Sequence, residues 1–416
     1  MSQGALRHRA FRLLFAGQSI SSFGDRLVPV ALAFAVLDLT GSVTDLGIVL
    51  AAQTVPLVLF VLIGGVWSDR LSRRRVMLAS DYLRAAAQAG SAALLLAGTA
   101  TIAELAALQA VYGFAEAFFG PAAVAVVPET VDPASLQQAN ALLGLSSNLA
   151  AVLGPAVAGV IVATTRPGWA LAIDAVTFLG SAACLMSMPA QLAGGSVPTT
   201  MLRDLRTGWQ AFRSRAWLWI TVLNFTLYIG FCFAPLQVLG PQVARLSLGG
   251  PGAWATISVA LGVGAVAGGF IGLRWRPRYP LRIAFSVFVI TTPALIALIA
   301  AHAPLAVIAV VALFDGSAGT LFNTFWYTAL QSDVPAGELS RVSSWDYLGS
   351  LALAPIGQAV SGPIALAIGL STSLYGAAIL ALVLFIGALA TPAVRNFSPA
   401  AIPDRQAGPT GVSDAR

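Results

Sequence analysis

Three acidic residues stand inside long apolar runs: Asp25 in FGDRLVPVAL, Glu116 in YGFAEAFFG and Asp315 in VALFDGSAG. A carboxylate shut away from water without a permanent counter-charge can hold a proton near neutral pH. Such a group can load and release a proton, or meet a cationic substrate. Arg26 adjoins Asp25 and is the obvious neutralising partner, yet neighbouring helix residues point about 100° apart, so the pairing is not automatic. Asp81 and Arg84 are three apart on one helical face, the spacing of a structural charge pair. Two further carboxylates fall near expected span ends. Asp174 is placed beside water, and Asp346 is placed at a helix start, where a negative charge complements the dipole.

The elements that must position these residues follow from composition. The 416 residues are 57% hydrophobic and only 10% charged, with a mean hydropathy of +0.83. A soluble domain of this size carries about 25% charged residues. The chain therefore reads as an all-α polytopic membrane protein, since a bilayer core takes roughly 20 apolar residues per helix. Twelve spans are expected: 11–38, 44–68, 76–98, 103–127, 137–164, 168–189, 216–241, 252–273, 281–301, 304–329, 343–369 and 371–393. Continuous Leu/Ala/Val runs argue against a β-barrel, which shows short alternating segments. The first run lacks a small-residue cleavage site and reads as a retained span.

The net charge of +6 comes from 23 basic residues, all of them Arg. Most fall in alternate connections: Arg7, Arg9 and Arg12; Arg70 with Arg73 to Arg75; Arg203, Arg206, Arg213 and Arg215; Arg274, Arg276, Arg278 and Arg282; and Arg341. The other connections hold Arg166 and Arg245. That asymmetry is the positive-inside pattern of a bacterial inner membrane protein with both termini cytoplasmic. It makes a nucleic-acid surface a poor reading of the charge.

Residues 191–215 form the long polar connection and divide the chain into a 1–190 bundle and a 216–395 bundle, with a polar tail at 396–416 expected to be disordered. The halves repeat weakly. GGVWSDRLSRRR at 64–75 pairs with GGFIGLRWRPRY at 268–279, and LGPAVAG at 153–159 pairs with LAPIGQA at 353–359, both offset by about 200 residues. VDPASL at 131–136 lies near VPAGEL at 334–339 at a similar offset. The expected architecture is two pseudo-symmetric six-helix bundles around a central cavity, a known transporter design. Trp169, Trp217, Trp219 and Trp254 fall at span starts and read as interfacial anchors.

Several chemistries are excluded or disfavoured. Without Lys there is no phosphate-binding Walker sequence, so ATP-driven pumping by this chain alone is excluded. H-E-x-x-H and G-x-S-x-G are missing too, so an enzyme is not expected. GVGAVAGG at 262–269 sits within a span, where Gly264, Gly268 and Gly272 at spacing four fit close helix packing. Cys184 and Cys232 lie within expected helices, giving no disulfide framework. His8 and His302 lie at a terminus and a helix end, so neither metal nor cofactor is expected.

Gly65, Asp69, Arg70, Arg73 and Arg74 match the G-x-x-x-D-R-x-G-R-R motif between helices 2 and 3 of the major facilitator superfamily, with Ser72 where Gly is usual. Gly154, Pro155 and Gly159 in LGPAVAG resemble the helix 5 antiporter motif of its drug/proton exporters, although Ala150 and Ala158 stand where Gly is expected. SISSFGDRLVPVAL, LTGS, VPLVLF and GGVWSDR together resemble the bacterial branch of enterobactin-type exporters and macrolide-efflux-like proteins. The resemblance implies alternating access by two rocking bundles. It implies that Asp69 meets the start of helix 11, around Ser343 to Asp346, with Arg70 between the two carboxylates, in a contact that favours the outward-open state. It implies export of an amphiphilic small molecule, such as a drug, macrolide or siderophore, coupled to protons carried by Asp25, Glu116 or Asp315, by a monomer in the lipid bilayer. An importer or a lipid or nutrient transporter of the same fold is the nearest alternative. A non-transporting receptor or scaffold is the alternative from another class.

Overall fold

The computed structural model describes residues 4–132, 135–188, 201–275 and 277–398, and no strand occurs among them. The first span is two helices, α1 (Arg9–Asp25) and α2 (Val28–Thr40). The N-terminal half continues with α3 (Val43–Arg70), α4 (Arg73–Ala97), α5 (Ile102–Thr130), α6 (Leu136–Thr164) and α7 (Pro167–Met186). Residues 191–200 of the polar connection lie outside the described residues, and its remainder is a helix, α8 (Met201–Arg213), rather than a loop. The C-terminal half starts with α9 (Ala216–Tyr228) and α10 (Ala234–Val243), followed by α11 (Pro251–Arg274), α12 (Pro280–Ala300) and α13 (Leu305–Asp333). It closes with α14 (Ala336–Leu351), α15 (Ala354–Ile368), α16 (Leu370–Ala390) and the short α17 (Pro392–Arg395).

Among the described residues, eleven helical segments are long and apolar enough to cross a membrane. The twelfth expected span, α4, falls short because it carries Asp81, Arg84 and Gln88, and all three are buried. Its polarity is turned inward, so hydropathy alone passes it over.

Local chemistry sets the helix ends. Gly41 and Gly98 take left-handed φ values of 67° and 72° at the C-caps of α2 and α4, the conformation that glycine reaches most cheaply. Thr101 and Glu104 form a reciprocal capping box at the start of α5, with Thr101 N donating to Glu104 Oε2 at 2.9 Å. Proline makes the internal breaks. Pro29 and Pro355 have no N–H to return to the carbonyls four residues earlier, Asp25 and Leu351. The helix interrupts at Arg26–Leu27 and at Ala352–Leu353 accordingly.

The repeat seen in the sequence is repeated in the packing. Gly154 of α6 lies against the backbone of Arg26 at the α1/α2 break, where a Cβ would collide. About 200 residues later, Leu353 at the α14/α15 break lies against Gly230, inside a wide turn at Ile229–Phe233 in the seventh span. Within the halves, Gly113 of α5 meets the Gln53 carbonyl of α3, and Gly264 of α11 meets the Leu313 carbonyl of α13. Gly268 and Gly272 face Ser317 and Thr324 of α13 in the same row. Without a hydrophobic drive between helices in lipid, such small-residue contacts supply the association.

The close contacts described between the halves run from mid-helix to the face opposite the arginines. Gly262 of α11 meets the Ala151 carbonyl of α6, and Gly159 meets Ala255. Gly47 of α3 meets the Gln358 carbonyl, and Gly362 of α15 meets Thr44. At the far end Arg245 pairs with Asp38 at 3.3 Å, and Gln242 donates to the Gly41 carbonyl at 3.3 Å.

Several expectations need correction here. The membrane-crossing segment of the eleventh span, Trp345–Ile368, is close to the expected 343–369, but its helix already begins at Ala336, directly after Pro335. Phe397 of the tail is buried, its ring 4.3 Å from Trp217, so the chain stays docked past residue 396. Residues 399–416 lie outside the described residues. Trp169 and Trp219 are exposed, as anchors should be, but Trp217 is only 7% exposed and donates to Asp333 Oδ2 at 3.0 Å. It is a core residue, not an anchor.

Gly264→Ala would force α11 away from the Leu313 carbonyl, and overpacking of this kind costs about 1–3 kcal/mol. The variant is expected to melt several degrees lower in detergent. Gly376→Ala, where a Cβ meets nothing within 4 Å, is expected to melt as the parent does.

Candidate transport site

The N-terminal half encloses a polar cluster on α1, α4, α5 and α7. Asp25 ends α1, is half-buried, and accepts a hydrogen bond from Tyr112 Oη at 2.6 Å. The proline-induced break explains why this carboxylate stands at a helix end in mid-span: the helix stops there instead of carrying it round to another face. Glu116 is one turn beyond Tyr112 on the same face of α5 and is also half-buried. Arg26 lies within electrostatic reach of Glu116. It is exposed, and no ion pair with Asp25 is found among the described residues.

Asp81 and Arg84 are buried on α4, where Arg84 Nη2 donates to Asp81 Oδ1 at 2.6 Å. The guanidinium is held between two rings, its carbon 4.0 Å from the Phe119 centroid and 4.3 Å from that of Phe178. Stacking, the hydrogen bond to Asp81 and the nearby charges of Asp25 and Glu116 thus replace its lost water. One turn further on, Gln88 Nε2 donates to Asp174 Oδ2 at 2.9 Å, and Gln109 Nε2 reaches Gln88 Oε1 at 3.4 Å. Asp174 is therefore no wet residue near a span end. It is fully buried in α7, and Gly24 of α1 packs directly on it and on Thr177.

In the C-terminal half, Asp315 is half-buried on α13 and accepts from Thr291 at 2.9 Å and Thr292 at 2.5 Å on α12. Two hydroxyls, not a cation, satisfy it. Asp346 was expected at a helix start, but α14 begins ten residues earlier, so no helix N-terminus faces it. Instead Trp326 Nε1 donates to its Oδ2 at 2.9 Å. Trp326 meets Trp217 edge-on at 5.5 Å. Beyond Trp217, Asp333 and Glu338 pair with Arg215 at 3.3 and 3.4 Å.

The helix 2–3 motif divides. Gly65, Asp69 and Arg70 close α3, and their side chains lie outside the described residues. The expected contact of Asp69 with Ser343 to Asp346 therefore lies outside the described residues. Arg73 pairs with Glu129 and donates to the Ala125 carbonyl at 2.8 Å, bracing α4 to α5. Arg74 donates to the Leu185 and Met186 carbonyls at 2.7 and 2.5 Å, bracing α4 to α7.

The helix 5 motif is a packing device. Pro155 leaves the Ala151 carbonyl without its helical donor, and Gly262 of the other half lies against that same carbonyl. Gly154 seats the α1/α2 break, and Gly159 seats Ala255.

Sequence reasoning missed Tyr112, Gln88 and Gln109. For Gln88 the signal is a stripe: Asp81, Arg84, Gln88 and Ser91 recur at helical spacing on one face of α4, and all are buried.

Helices closed on one another through glycine, with charges enclosed rather than displayed, define a multi-pass membrane protein. The sequence profile of the Major Facilitator Superfamily matches residues 14–358, and the chain belongs to that superfamily. It is 28% identical over 406 residues to the multidrug efflux pump Tap of Mycolicibacterium fortuitum, covering 94% of this chain and 97% of that protein. It is 26% identical over 400 residues to the enterobactin exporter EntS of Citrobacter koseri, covering 91% and 92%. Among solved structures, the nucleoside transporter NupG superposes with a TM-score of 0.73 at 12% identity, covering 91% of this chain and 98% of that one. A bacterial homologue of the iron transporter ferroportin in its inward-facing state gives 0.67 at 18%, covering 92% and 99%.

Arg84→Met leaves a buried carboxylate without its cation, a loss of about 3–5 kcal/mol for such pairs. The variant is expected to melt at a clearly lower temperature in detergent. Adding Asp81→Asn is expected to recover much of the loss, measured by thermal unfolding of both variants; an unchanged single variant would mean that the pair does not carry the packing of α4.

Proposed function

We propose that the chain is a proton-coupled exporter of amphiphilic small molecules, of the drug, macrolide or siderophore kind, working by alternating access as a monomer in a bacterial plasma membrane. One observation carries this reading: the charge balance of the N-terminal half. Asp25, Asp81, Glu116 and Asp174 converge on α1, α4, α5 and α7, and Arg84 is the cation buried with them. An excess of acidic groups in a low-dielectric interior needs further positive charge. Protons supply it in a secondary transporter, since the chain has no nucleotide-binding sequence.

Asp25 is assigned the coupling role and Glu116 the second. Both are half-buried, in contrast to Asp81 and Asp174, so water reaches them. Tyr112 bridges between their helices as donor to Asp25. Asp315 is the counterpart in the other half. With the arginine-rich face taken as cytoplasmic, and both termini with it, the contacts between halves close the outer side. An exporter loads from the cytoplasmic side. The names of the relatives, an efflux pump and a siderophore exporter, support this direction. The same split supports two rigid units, 1–190 and 216–395, joined by 191–215.

Asp25→Asn carries no proton. In proteoliposomes the variant is expected to lose at least tenfold of the pH-gradient-driven dye flux, while downhill exchange without a gradient persists. Full gradient-driven flux in the variant would remove Asp25 from coupling, and absence of flux for every compound in the parent protein would favour a receptor or scaffold.

A further inference from the structure

The described part of the polar connection between the halves is not a loose strap. Its helix, α8, is fastened to the C-terminal half at its middle and at its end. Phe212 is buried, and the Trp209 ring lies 4.9 Å from that of Trp345 on α14. Arg215, just past the helix, donates to the Ala211 carbonyl at 2.7 Å and pairs with Asp333 and Glu338 at 3.3 and 3.4 Å. These contacts also set its depth. Trp345 opens the membrane-crossing segment Trp345–Ile368, and the segment Ala216–Leu248 starts directly after Arg215. Trp209 and Arg215 therefore both stand at the level where spans enter the bilayer. Between them a helical chain advances about 9 Å, so this end of α8 runs along the membrane surface rather than away from it.

The flank of α8 beside the Trp345 contact has its own pattern. Arg206, Trp209 and Arg213 stand at positions i, i+3 and i+7 and share one side of the helix. Both arginines are exposed, and neither has a hydrogen bond or an ion pair among the described residues. Trp209 is 43% exposed, although its ring touches both Phe212 and Trp345. A half-exposed indole at headgroup depth, flanked by two unpaired guanidinium groups, suits a helix lying in the membrane interface. Guanidinium binds phosphate through two parallel hydrogen bonds, and the cytoplasmic leaflet carries the negative surface potential.

We propose that the Arg206–Trp209–Arg213 flank of α8 binds the headgroup of an anionic phospholipid of the cytoplasmic leaflet, with the indole against its glycerol region. Two of the arginines that orient the chain thus also hold a lipid. Because α8 is fastened to α14 beside Trp345, the bound lipid ties the cytoplasmic end of the eleventh span to the membrane surface. The site stands apart from the acidic cluster, and its assignment is independent of what the chain transports.

Native mass spectrometry of the full chain, released from detergent with equimolar phosphatidylglycerol and phosphatidylcholine, reads lipid retention directly. The parent protein is expected to retain phosphatidylglycerol about fivefold over phosphatidylcholine, and to melt several degrees higher when it is added. Arg206→Gln and Arg213→Gln are each expected to weaken that retention about fivefold, the loss of one cation at a charged surface. The double variant is expected to lose the melting shift as well. Arg278→Gln combined with Arg395→Gln removes the same charge from two other exposed arginines and is expected to retain the lipid as the parent does. All four side chains are exposed, so melting temperatures without lipid are expected to match. Equal loss in the Arg278/Arg395 control means diffuse attraction and overturns the site. Equal retention of the two lipids by the parent, or parental retention in the Arg206/Arg213 double variant, overturns it too. An equal melting shift with inorganic phosphate would mean that the arginines take a free anion, and the lipid assignment falls.

Discussion

The N-terminal half is organised around a single buried guanidinium. Arg84 lies inside a helix bundle with Asp81 as its hydrogen-bonded anion and the faces of Phe119 and Phe178 against it. A charge in this position is tolerated only if protein groups replace its hydration. The consequences spread outward. α4 must turn its polar stripe inward, which costs it the hydropathy of a membrane span. α5 and α7 must supply aromatic rings at that depth. Gly24 must lack a side chain so that α1 can close over Asp174 and Thr177. The packing of four helices follows from solvating one ion without water.

The proline breaks solve a different problem. A carbonyl released by Pro29, Pro155 or Pro355 is a polar group at membrane depth, and lipid offers it nothing. The protein places such sites where another helix backbone approaches closely: Gly154 beside the α1/α2 break, Gly262 at Ala151, and Gly230 at the α14/α15 break. Breaks and glycines are thus two halves of one device. That device recurs in both bundles, and short motif matches about 200 residues apart gave only a faint outline of it.

What the sequence disclosed depended on whether the physics was local. Span number, the repeat and the family motifs rest on composition and spacing, and the all-helical two-bundle fold follows from them. Asp81 and Arg84 were legible as neighbours because three residues on a helix are enough to place them together. Asp174 and Asp346 were misjudged because depth was inferred from distance to an expected span end. Asp346 stays near the start of the membrane-crossing segment, but its helix begins at Ala336, so the Trp326 indole rather than a helix N-terminus meets it. Trp217 was misread for a related reason. Its partners, Asp333, Trp326 and Phe397, are more than a hundred residues away in sequence, and nothing local announces them.

The contrast between contacts within and between the halves bears on how such a molecule moves. Inside the N-terminal half, Arg73 joins α4 to α5 through a carboxylate and a carbonyl, and Arg74 joins α4 to α7 through two carbonyls. These are charge-assisted bonds to fixed backbone, among the stronger kind. Between the halves, the described ion pair is Arg245 with Asp38, whose side chains are 34% and 54% exposed. An exposed pair of this sort contributes about 0–1 kcal/mol. Arg245 also donates to the Leu37 carbonyl and Gln242 to the Gly41 carbonyl, and the other described close approaches between the halves are glycines against backbone or Ala255. Among the described residues the arginine bonds inside the N-terminal half link three helices, whereas those between the halves gather at Arg245 on one face. Within the basic cluster, Arg73 and Arg74 therefore tie α4 to both of its neighbours, α5 and α7.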